Sequence, residues 1–344
     1  MTVLANDLSY PPLNSCQTQL LPWVTVICIC HNHQDYVLQA LKSVIEQDYP
    51  TIELIVIDNA STDLSSTRIG EFVQLFPTIR FIRNAVNVGL NRAFNQGLAL
   101  AQGQYIIDLS ADDLLLPHRI SRQVNVLEQL PATYGVVFSN AAYIDAGGKK
   151  TGVHYPVDSN GHTLVDVPIG FVFMHLLKAY FICTPTMMMR RNMLIELGGY
   201  DETLSYEDFD LWVRSARTYQ YAYIDAVLTL KRLLPTALST QVIQPYNHLL
   251  PSTLIVCQKA FTLCATPDEF QALAARIQTF VRKAFYAQQF ELVAQFGKLL
   301  QQITQPDLLT RLILLLSRFH FPVNLFYRIY HQWQPVRGWR NRAG

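Results

Sequence analysis

The chain has 344 residues, of which 50% are apolar and 15% are charged, and its formal net charge is +1. This composition suits one large globular domain with an appendage, or two modest domains. A net charge so close to zero argues against a nucleic-acid-binding protein, because such proteins carry an excess of basic residues.

No part of the sequence indicates secretion or membrane insertion. The first residues, MTVLANDLSYPPLNSC, lack the basic start and apolar core of a signal peptide. No apolar stretch approaches the roughly 20 residues that span a bilayer. Cys28 and Cys30 are two positions apart and the other cysteines are scattered, so no metal-binding or redox spacing is present. We therefore expect a cytoplasmic protein with reduced thiols.

The first 145 residues alternate short apolar runs with amphipathic segments. The apolar runs predict strands at 23–30, 52–58, 79–84, 104–110 and 134–144. Helical spacing of apolar residues predicts helices at 35–47, 63–76, 90–101 and 117–130. Strands that alternate with helices of this length predict an α/β fold with a mostly parallel central sheet and helices on both faces.

Polar side chains follow three of these predicted strands. They are His31, Asn32, Asp58, Asn59, Asp112 and Asp113. Ligands of such sheets bind beyond the carboxyl ends of the strands, and carboxylates without compensating bases suit a divalent cation. Each acid alone is also a favoured helix cap: Asp63 for the helix to Phe76, and Asp112 or Asp113 for the helix after Pro117.

Five segments in a fixed order resemble the inverting family 2 glycosyltransferases, whose fold is called GT-A. The segments VTVICICHN, LKSVIEQDYPTIELIVIDNASTD and NVGLNRAFNQGLALAQGQYIIDLSADD resemble the nucleotide-sugar-binding half of that family. LGGYDETLSYEDFDLWVR (197–214) resembles its acceptor-side segment, and LKRLLPTALST (230–240) resembles its closing strand and loop. Several weak motifs in one order are more specific than any one of them.

The resemblance implies a division of the chain. Residues 22–240 would form the GT-A domain, with a nucleotide-sugar-binding half at 22–115 and an acceptor-binding half at 116–240. Residues 1–21 would be an N-terminal extension, and 241–344 a C-terminal helical region with a basic aromatic tail.

The resemblance also implies a donor site, with UDP as the typical nucleotide. Its residues would be His31, Asn32, Asp58, Asn59, Asn87, Arg92, Asp112 and Arg232. Asp113 would hold Mg²⁺ or Mn²⁺, which neutralises the leaving diphosphate as a Lewis acid. The amide of Asn59 can offer a donor and an acceptor to a pyrimidine edge. Arg92 is equally well explained as a surface residue of its helix.

An inverting transfer needs a general base that takes the proton of the attacking hydroxyl. The resemblance places this base in the Glu207-Asp208 pair of SYEDFD, and we favour Asp208. The alternative is that these acids stabilise the start of the following helix through its dipole. Asp210 is then a structural partner, for example of Arg214.

Four positions depart from the family pattern. Ser110 stands where an acid is usual, His31 replaces an aromatic residue, Asn59 replaces a second acid, and Leu234 replaces a histidine near the diphosphate. We expect an inverting hexosyltransferase acting in polysaccharide or glycoconjugate synthesis. The departures leave open a catalytically impaired nucleotide-sugar or glycan-binding module. A nucleotidyltransferase is a third class, but its glycine-rich phosphate loop is missing after the first strand.

After residue 240 the sequence predicts three or four amphipathic helices, including a glutamine-rich one at 288–302. The 37 residues after Asp307 contain no acid and six arginines, interleaved with aromatic residues. Such a tail suits an anionic membrane surface, which would place the protein at the inner face of the membrane with a lipid-linked acceptor. The alternative is a packed helix that ends in a basic tail.

Overall fold

The computed structural model describes residues 21–235, 244–245 and 247–320, and these group into two compact units. The first unit contains the described residues up to Gly170, together with Ile182–Gly199 and Tyr219–Arg232. The second contains Phe171–Phe181, Tyr200–Thr218 and the described residues from Leu233 onward. The domain boundary predicted at residue 240 stays a prediction.

The first unit is built on a nine-stranded sheet. Its strands are β1 (Val24–Cys30), β2 (Ile52–Asp58), β3 (Arg80–Arg83), β4 (Tyr105–Ser110), β5 (Leu114–Leu115), β6 (Tyr134–Ile144), β7 (Lys150–Val153), β8 (Met188–Arg190) and β9 (Gln220–Arg232). Their order across the sheet is β3-β2-β1-β4-β8-β6-β9-β5, and β7 pairs with β6. The pairs β1–β2, β1–β4 and β2–β3 are parallel, as the alternating pattern predicts, and β6–β9 is a further parallel pair.

The helices of this unit are α1 (Val37–Ile45), α2 (Ser65–Leu75), α3 (Leu90–Leu100), α4 (Arg119–Gln129) and, after one helix of the second unit, α6 (Arg191–Glu196). Val24, Val26 and Cys28 of β1 belong to one buried cluster with side chains of α1, α2 and α4. On the opposite face, α3 packs so close that a Cβ at Gly97 would lie 2.6 Å from the Ile27 side chain. Helices therefore cover both faces, and β1 is buried on both sides because every one of its positions is apolar or small.

The N-cap position of α2 is Leu64, one residue after the predicted cap Asp63. Asp63 still supports the helix start, because its two oxygens accept the N–H groups of Ser65 (2.9 Å), the first residue of α2, and of Gln34 (3.0 Å). α4 begins at Arg119 after His118, which has a left-handed conformation with φ 66°, so neither Asp112 nor Asp113 caps it. The short strand β5, paired with β9, occupies the space between these acids and α4.

The second unit is helical in its described residues. Its helices are α5 (Phe173–Lys178), α7 (Asp208–Ser215), α8 (Leu249–Leu263), α9 (Pro267–Tyr286), α10 (Phe290–Gln301) and α11 (Leu308–Arg318). The last four match the prediction of three or four helices, and α10 confirms the helix predicted in the glutamine-rich stretch. Among the described helices, none combines the length and the apolar character needed to cross a membrane. Most of the predicted basic tail lies outside the described residues.

Candidate functional site

Three polar strand ends meet at one edge of the sheet. β1 lies between β2 and β4 in parallel register, with Cys30 opposite Asp58 and Ile29 opposite Ser110. The residues that follow these strands therefore share the carboxyl edge of the sheet, as predicted. They are His31, Asn32, Asp58, Asn59, Asp112 and Asp113.

Asn59 is buried, and its amide organises the loop that follows β3. Its Nδ2 donates to Asn87 Oδ1 (2.9 Å) and to the carbonyl of Gly89 (3.4 Å). Its Oδ1 accepts from Asn84 Nδ2 (3.1 Å) and from the backbone N–H of Val88 (3.0 Å). Both ends of the amide are thus used inside the protein, and Asn59 fixes the position of Asn87.

His31 is exposed, and its neighbours define its tautomer. Nδ1 lies 2.9 Å from the carbonyl oxygen of Asn59, so Nδ1 must carry the proton and donate it. Nε2 then accepts from Asn32 Nδ2 (3.3 Å) and Asn87 Nδ2 (3.4 Å). These contacts hold the imidazole at the rim of the edge, where its planar ring can stack on a planar ligand.

The loops after β1 and β2 lock together around two left-handed residues. Asn32 (φ 59°) and Ala60 (φ 60°) both have positive φ, which is rare for residues with a side chain. Asn32 accepts the N–H of Thr62 at 2.8 Å through its side-chain oxygen. Asp58 is buried and accepts the N–H of Ser61 at 3.2 Å. These contacts hold the edge in one defined conformation.

Asp113 is a buried carboxylate, only 4% exposed, and its Oδ1 accepts the backbone N–H of Arg232 at 2.7 Å. Burial and the adjacent Asp112 raise the pKa of Asp113 to about 7, against the opposing influence of Lys231. Asp112 is half-buried and accepts a hydrogen bond from Ser110 Oγ. Ser110, which stands where the family usually has an acid, therefore supports the remaining pair as a donor.

Arg232 is 3% exposed and holds the loop that carries the two acids. Its Nε donates to the carbonyl of Asp112 (3.0 Å), Nη1 to the carbonyl of Asp145 (2.9 Å), and Nη2 to Gln39 Oε1 (3.1 Å). Its guanidinium also lies 4.5 Å from the centre of the Tyr36 ring. All three nitrogens of Arg232 are thus engaged within the protein.

Sequence reasoning missed two residues of this site and left Arg92 undecided. Arg119, fully buried in α4, donates to Thr229 Oγ1 (2.9 Å) and to the carbonyl of Met187 (3.1 Å), and its charge lowers the pKa of Asp113. Nothing in its amphipathic helix distinguishes it from a surface arginine. Asn84 could have been predicted from the sequence, because it directly follows β3, as the other polar residues of the site follow their strands. Arg92 is exposed in the first turn of α3.

The predicted general base lies in the second unit, at the start of α7. Glu207 precedes the helix and Asp208 is its first residue, and both are half-buried. Asp208 Oδ1 accepts the N–H of Phe209 at 2.6 Å. Asp210 is buried and pairs with Arg214 at 2.7 Å, which confirms its predicted structural role.

Helix α8 contacts the segment 201–210 at several points. Lys259 Nζ lies 2.6 Å from both Asp201 Oδ2 and Asp210 Oδ1. Ser205 N–H donates to Ser252 Oγ at 2.9 Å, and the hydroxyls of Tyr206 and Thr253 are 2.7 Å apart. The segment that carries Glu207 and Asp208 is therefore attached to the C-terminal helices along its length.

The donor set at Asp112 and Asp113 fits a cation that is bound jointly with a phosphate ligand. Within the described part of the chain, His, Cys, Asp and Glu form no group of three or more that could hold a metal ion by itself. Mg²⁺ is commonly held by one or two carboxylates, with phosphate oxygens and water completing its shell. Burial, and after it the charge of Asp112, disfavours the charged form of Asp113, and a bound cation would stabilise that form.

The sheet, with polar strand ends at its carboxyl edge, belongs to the GT-A fold class. The model of the family "Glycosyl transferase family 2" matches residues 25–198, which is half of the chain. The chain therefore belongs to family 2 of the glycosyltransferases. The expected fold class, GT-A with a C-terminal helical region, is confirmed.

Similar proteins agree with this assignment. An uncharacterized glycosyltransferase of Rickettsia bellii is 28% identical over 230 residues, which are 66% of this chain and 32% of the relative. The chain thus spans about a third of that relative's length. The crystal structure of S. aureus TarS 1–349 in complex with UDP has a TM-score of 0.63 at 16% identity, with 92% of this chain and 93% of that chain covered. The mannosyltransferase PcManGT from Pyrobaculum calidifontis, in complex with GDP-Man and Mn²⁺, has a TM-score of 0.55 at 17% identity, with 92% and 84% covered.

Proposed function

We propose that the chain transfers a hexose, with inversion, from a UDP-sugar to a hydroxyl group of a saccharide or lipid-linked acceptor. The reaction would belong to polysaccharide or glycoconjugate synthesis. The proposal rests on the shared carboxyl edge of the parallel strands β1, β2 and β4. The polar residues His31, Asn32, Asp58 and Asn59 form the rim of this edge, and the acids Asp112 and Asp113 lie after β4. The solved structures with bound UDP or GDP-Man have the same fold and support a nucleotide-sugar as the ligand.

The rim after β1 and β2 would bind the nucleotide. The exposed ring of His31 would stack on the base, with Asn32 beside it and Asp58 below. Asn59 would act by holding Asn87 in place, since its own amide is engaged by Asn87 and the backbone around it. Asn87 is exposed and would face the donor directly. Arg92, exposed on α3, would add a positive charge near the diphosphate.

The acid pair would bind the diphosphate end of the donor together with a cation. Asp113, with Asp112 beside it, would hold Mg²⁺ or Mn²⁺, which would neutralise the charge that develops on the leaving diphosphate. Arg232 would keep the pair in position through its backbone N–H and its side chain. Lys231, whose charge acts on Asp113, would contribute a positive charge near the phosphates.

Asp208 would act as the general base. It would accept the proton of the acceptor hydroxyl while that oxygen attacks the anomeric carbon and the bond to the diphosphate breaks. A carboxylate at a helix start is well fixed, and Asp210 with its two basic partners holds the following turn. Glu207 is the second candidate for this role.

Two further proposals concern the context of the reaction. The protein would work in the cytoplasm at the inner face of the membrane, which its basic tail after Asp307 would contact. Residues 321–344 of that tail lie outside the described residues. A catalytically impaired nucleotide-sugar or glycan-binding module remains the alternative function, and Ser110 and Leu234 are the residues that favour it.

Calorimetry of UDP binding with and without Mn²⁺ tests the proposed donor site. Wild-type protein should bind UDP more tightly with Mn²⁺, and Asp113→Ala should lose this dependence on the metal. Glu71→Ala, an exposed acid on α2, is the matched control and should bind as the wild type does. UDP binding that Mn²⁺ does not change would contradict the role given to Asp113.

A further inference from the structure

Helix α11 exposes a continuous apolar stripe. Leu308, Leu312, Leu315 and Phe319 follow the spacing of one helix face, and they are 83%, 50%, 50% and 75% exposed. Leu309, 51% exposed, extends the stripe at the start of the helix. Single exposed apolar side chains are common, but a contiguous row of this kind marks a surface that contacts something else.

The opposite face of α11 is fixed to the second unit, so the stripe points outward. Thr310, Ile313 and Ser317 are buried. Helix α10 approaches so closely that a Cβ at Gly297 would lie 2.5 Å from the Leu314 side chain. The N-terminus of the helix is stabilised by a cap, because the Asp307 side chain accepts the N–H of Thr310 at 2.7 Å.

The charged side chains of α11 itself are all positive, and the only acid next to the helix in the sequence is the cap residue Asp307. Arg311 and Arg318 lie seven positions apart along one edge of the stripe, and both are exposed. Arg311 Nε donates to the carbonyl of Pro306 at 2.7 Å, a neutral acceptor, so its charge is not compensated there. Neither α11 nor the sequence after it contains an acidic residue.

We infer that α11 docks on an anionic lipid surface, with its leucine stripe in the interface and its arginines at the level of the headgroups. An apolar stripe flanked by arginine is the pattern of a helix that lies in the plane of a membrane interface. A helix of 11 residues is about 16 Å long, which suits an interfacial position and is too short to span a bilayer.

A second copy of the chain fits this face less well. Face-to-face packing of two stripes would bring arginines of both copies to one interface, without a carboxylate on either helix to compensate them. An anionic bilayer supplies both an apolar layer and the missing negative charge. The inference rests on and deepens the membrane contact proposed above, which it assigns to α11, and it does not depend on the proposed transferase reaction.

Flotation of the full chain with lipid vesicles tests the inference. Wild-type protein should float with vesicles of phosphatidylcholine and phosphatidylglycerol, and much less with phosphatidylcholine alone. Leu312→Gln/Leu315→Gln should weaken binding about tenfold or more, because two leucines no longer enter the apolar layer. Arg311→Gln/Arg318→Gln should weaken it about fivefold for each arginine removed.

The controls separate binding through α11 from binding through another surface of the chain. Leu75→Gln, which changes a leucine of α2 that is 75% exposed, should bind vesicles as the wild type does. Thermal melting should show that all variants fold. The inference is overturned if wild-type protein does not bind the anionic vesicles. It is also overturned if the double leucine variant binds vesicles normally, since the basic tail alone then accounts for binding. A third contrary result is that the variant changes the protein from a dimer to a monomer and leaves vesicle binding unchanged.

Discussion

Asn59 illustrates how single polar residues build the candidate donor site without having to touch a ligand. Its amide joins the end of β2 to the loop 84–89 through four hydrogen bonds. The amide also fixes Asn87, which in turn contacts the ring of His31. The position of Asn59 after a strand could be predicted from the sequence. Its engagement by the protein could not, because it depends on the path of a loop 25 or more residues away.

Replacing Asn59 should therefore affect stability and binding together. Asn59→Ala leaves the N–H of Val88 without its acceptor and removes the donor to Asn87 Oδ1, so the free energy of unfolding should fall by about 2 kcal/mol. UDP affinity should fall as well, because the loop that carries Asn87 loses its support. Denaturant unfolding and calorimetry measure both effects, with the exposed Asn160→Ala as control. A stable variant with normal UDP affinity would show that the amide network is dispensable.

Asp208→Asn should separate binding from chemistry. The amide keeps the size of the side chain and removes its ability to take a proton, so transfer should fall by about a hundredfold or more. UDP affinity should stay unchanged. Glu207→Gln is the matched variant, and initial rates with a fixed acceptor compare the two. If Glu207→Gln loses transfer and Asp208→Asn keeps it, the base is Glu207.

At the level of elements, β1 to β4, β6 and the helices between them could be predicted because each carries its own periodic pattern, whereas β9 had no such pattern. The segments β5, β7 and β8 could not be predicted, since they are only two to four residues long. In addition, β5 and β8 pair antiparallel with strands far away in the sequence. The role of α8 was equally hidden. Its Lys259 looks like an ordinary surface lysine in the sequence, yet it joins Asp201 to Asp210.

Lys259 should act as a positioning residue for the proposed base. Lys259→Met removes the link between Asp201 and Asp210, so kcat should fall with little change in the KM for the donor. Lys259→Arg should restore most of the rate, because it keeps the charge. A rate unaffected by Lys259→Met would show that α8 does not position the base.

The same lysine should give the protein a defined acid sensitivity. Burial alone would raise the pKa of Asp201, but hydrogen bonds from Lys259 and Thr203 lower it from 3.8 to about 2. A lowered pKa in the folded state adds stability above pH 4 that is lost as the pH falls toward 2. The stability difference between wild type and Lys259→Met should therefore be largest near neutral pH and shrink below pH 4. Denaturant unfolding across this range measures it, and a constant difference would contradict the assignment.

For the whole molecule, the half-buried Lys283 of α9 should limit stability at neutral pH. Burial, followed by the charges of Arg276 and Arg282, lowers the pKa of Lys283 from 10.5 to about 8. The unfolded chain then binds more protons between these values, so stability rises with pH from about 8 to 10.5. Lys283→Met should be more stable than the wild type at pH 7, and its advantage should shrink near pH 10. An advantage that does not change with pH would exclude this cause.

Family membership and fold followed from several local motifs in a fixed order, each placed by its own strand or helix. The supporting contacts of the site could not be predicted in this way. Arg119, Arg232 and Lys259 contact residues that are distant in the sequence, and no local sequence pattern indicates such contacts. Strand order alone places the polar residues at the strand ends on one edge of the sheet. Which of these residues can touch the donor depends on tertiary contacts.

A donor turnover assay tests the central claim most directly. Wild-type protein is incubated with a panel of UDP- and GDP-sugars, with and without Mn²⁺, and released nucleoside diphosphate is measured. The account predicts metal-dependent release from a UDP-sugar, which Asp113→Ala abolishes. Binding of a nucleotide-sugar without release from any donor, even with saccharide acceptors added, would contradict it and favour the binding module.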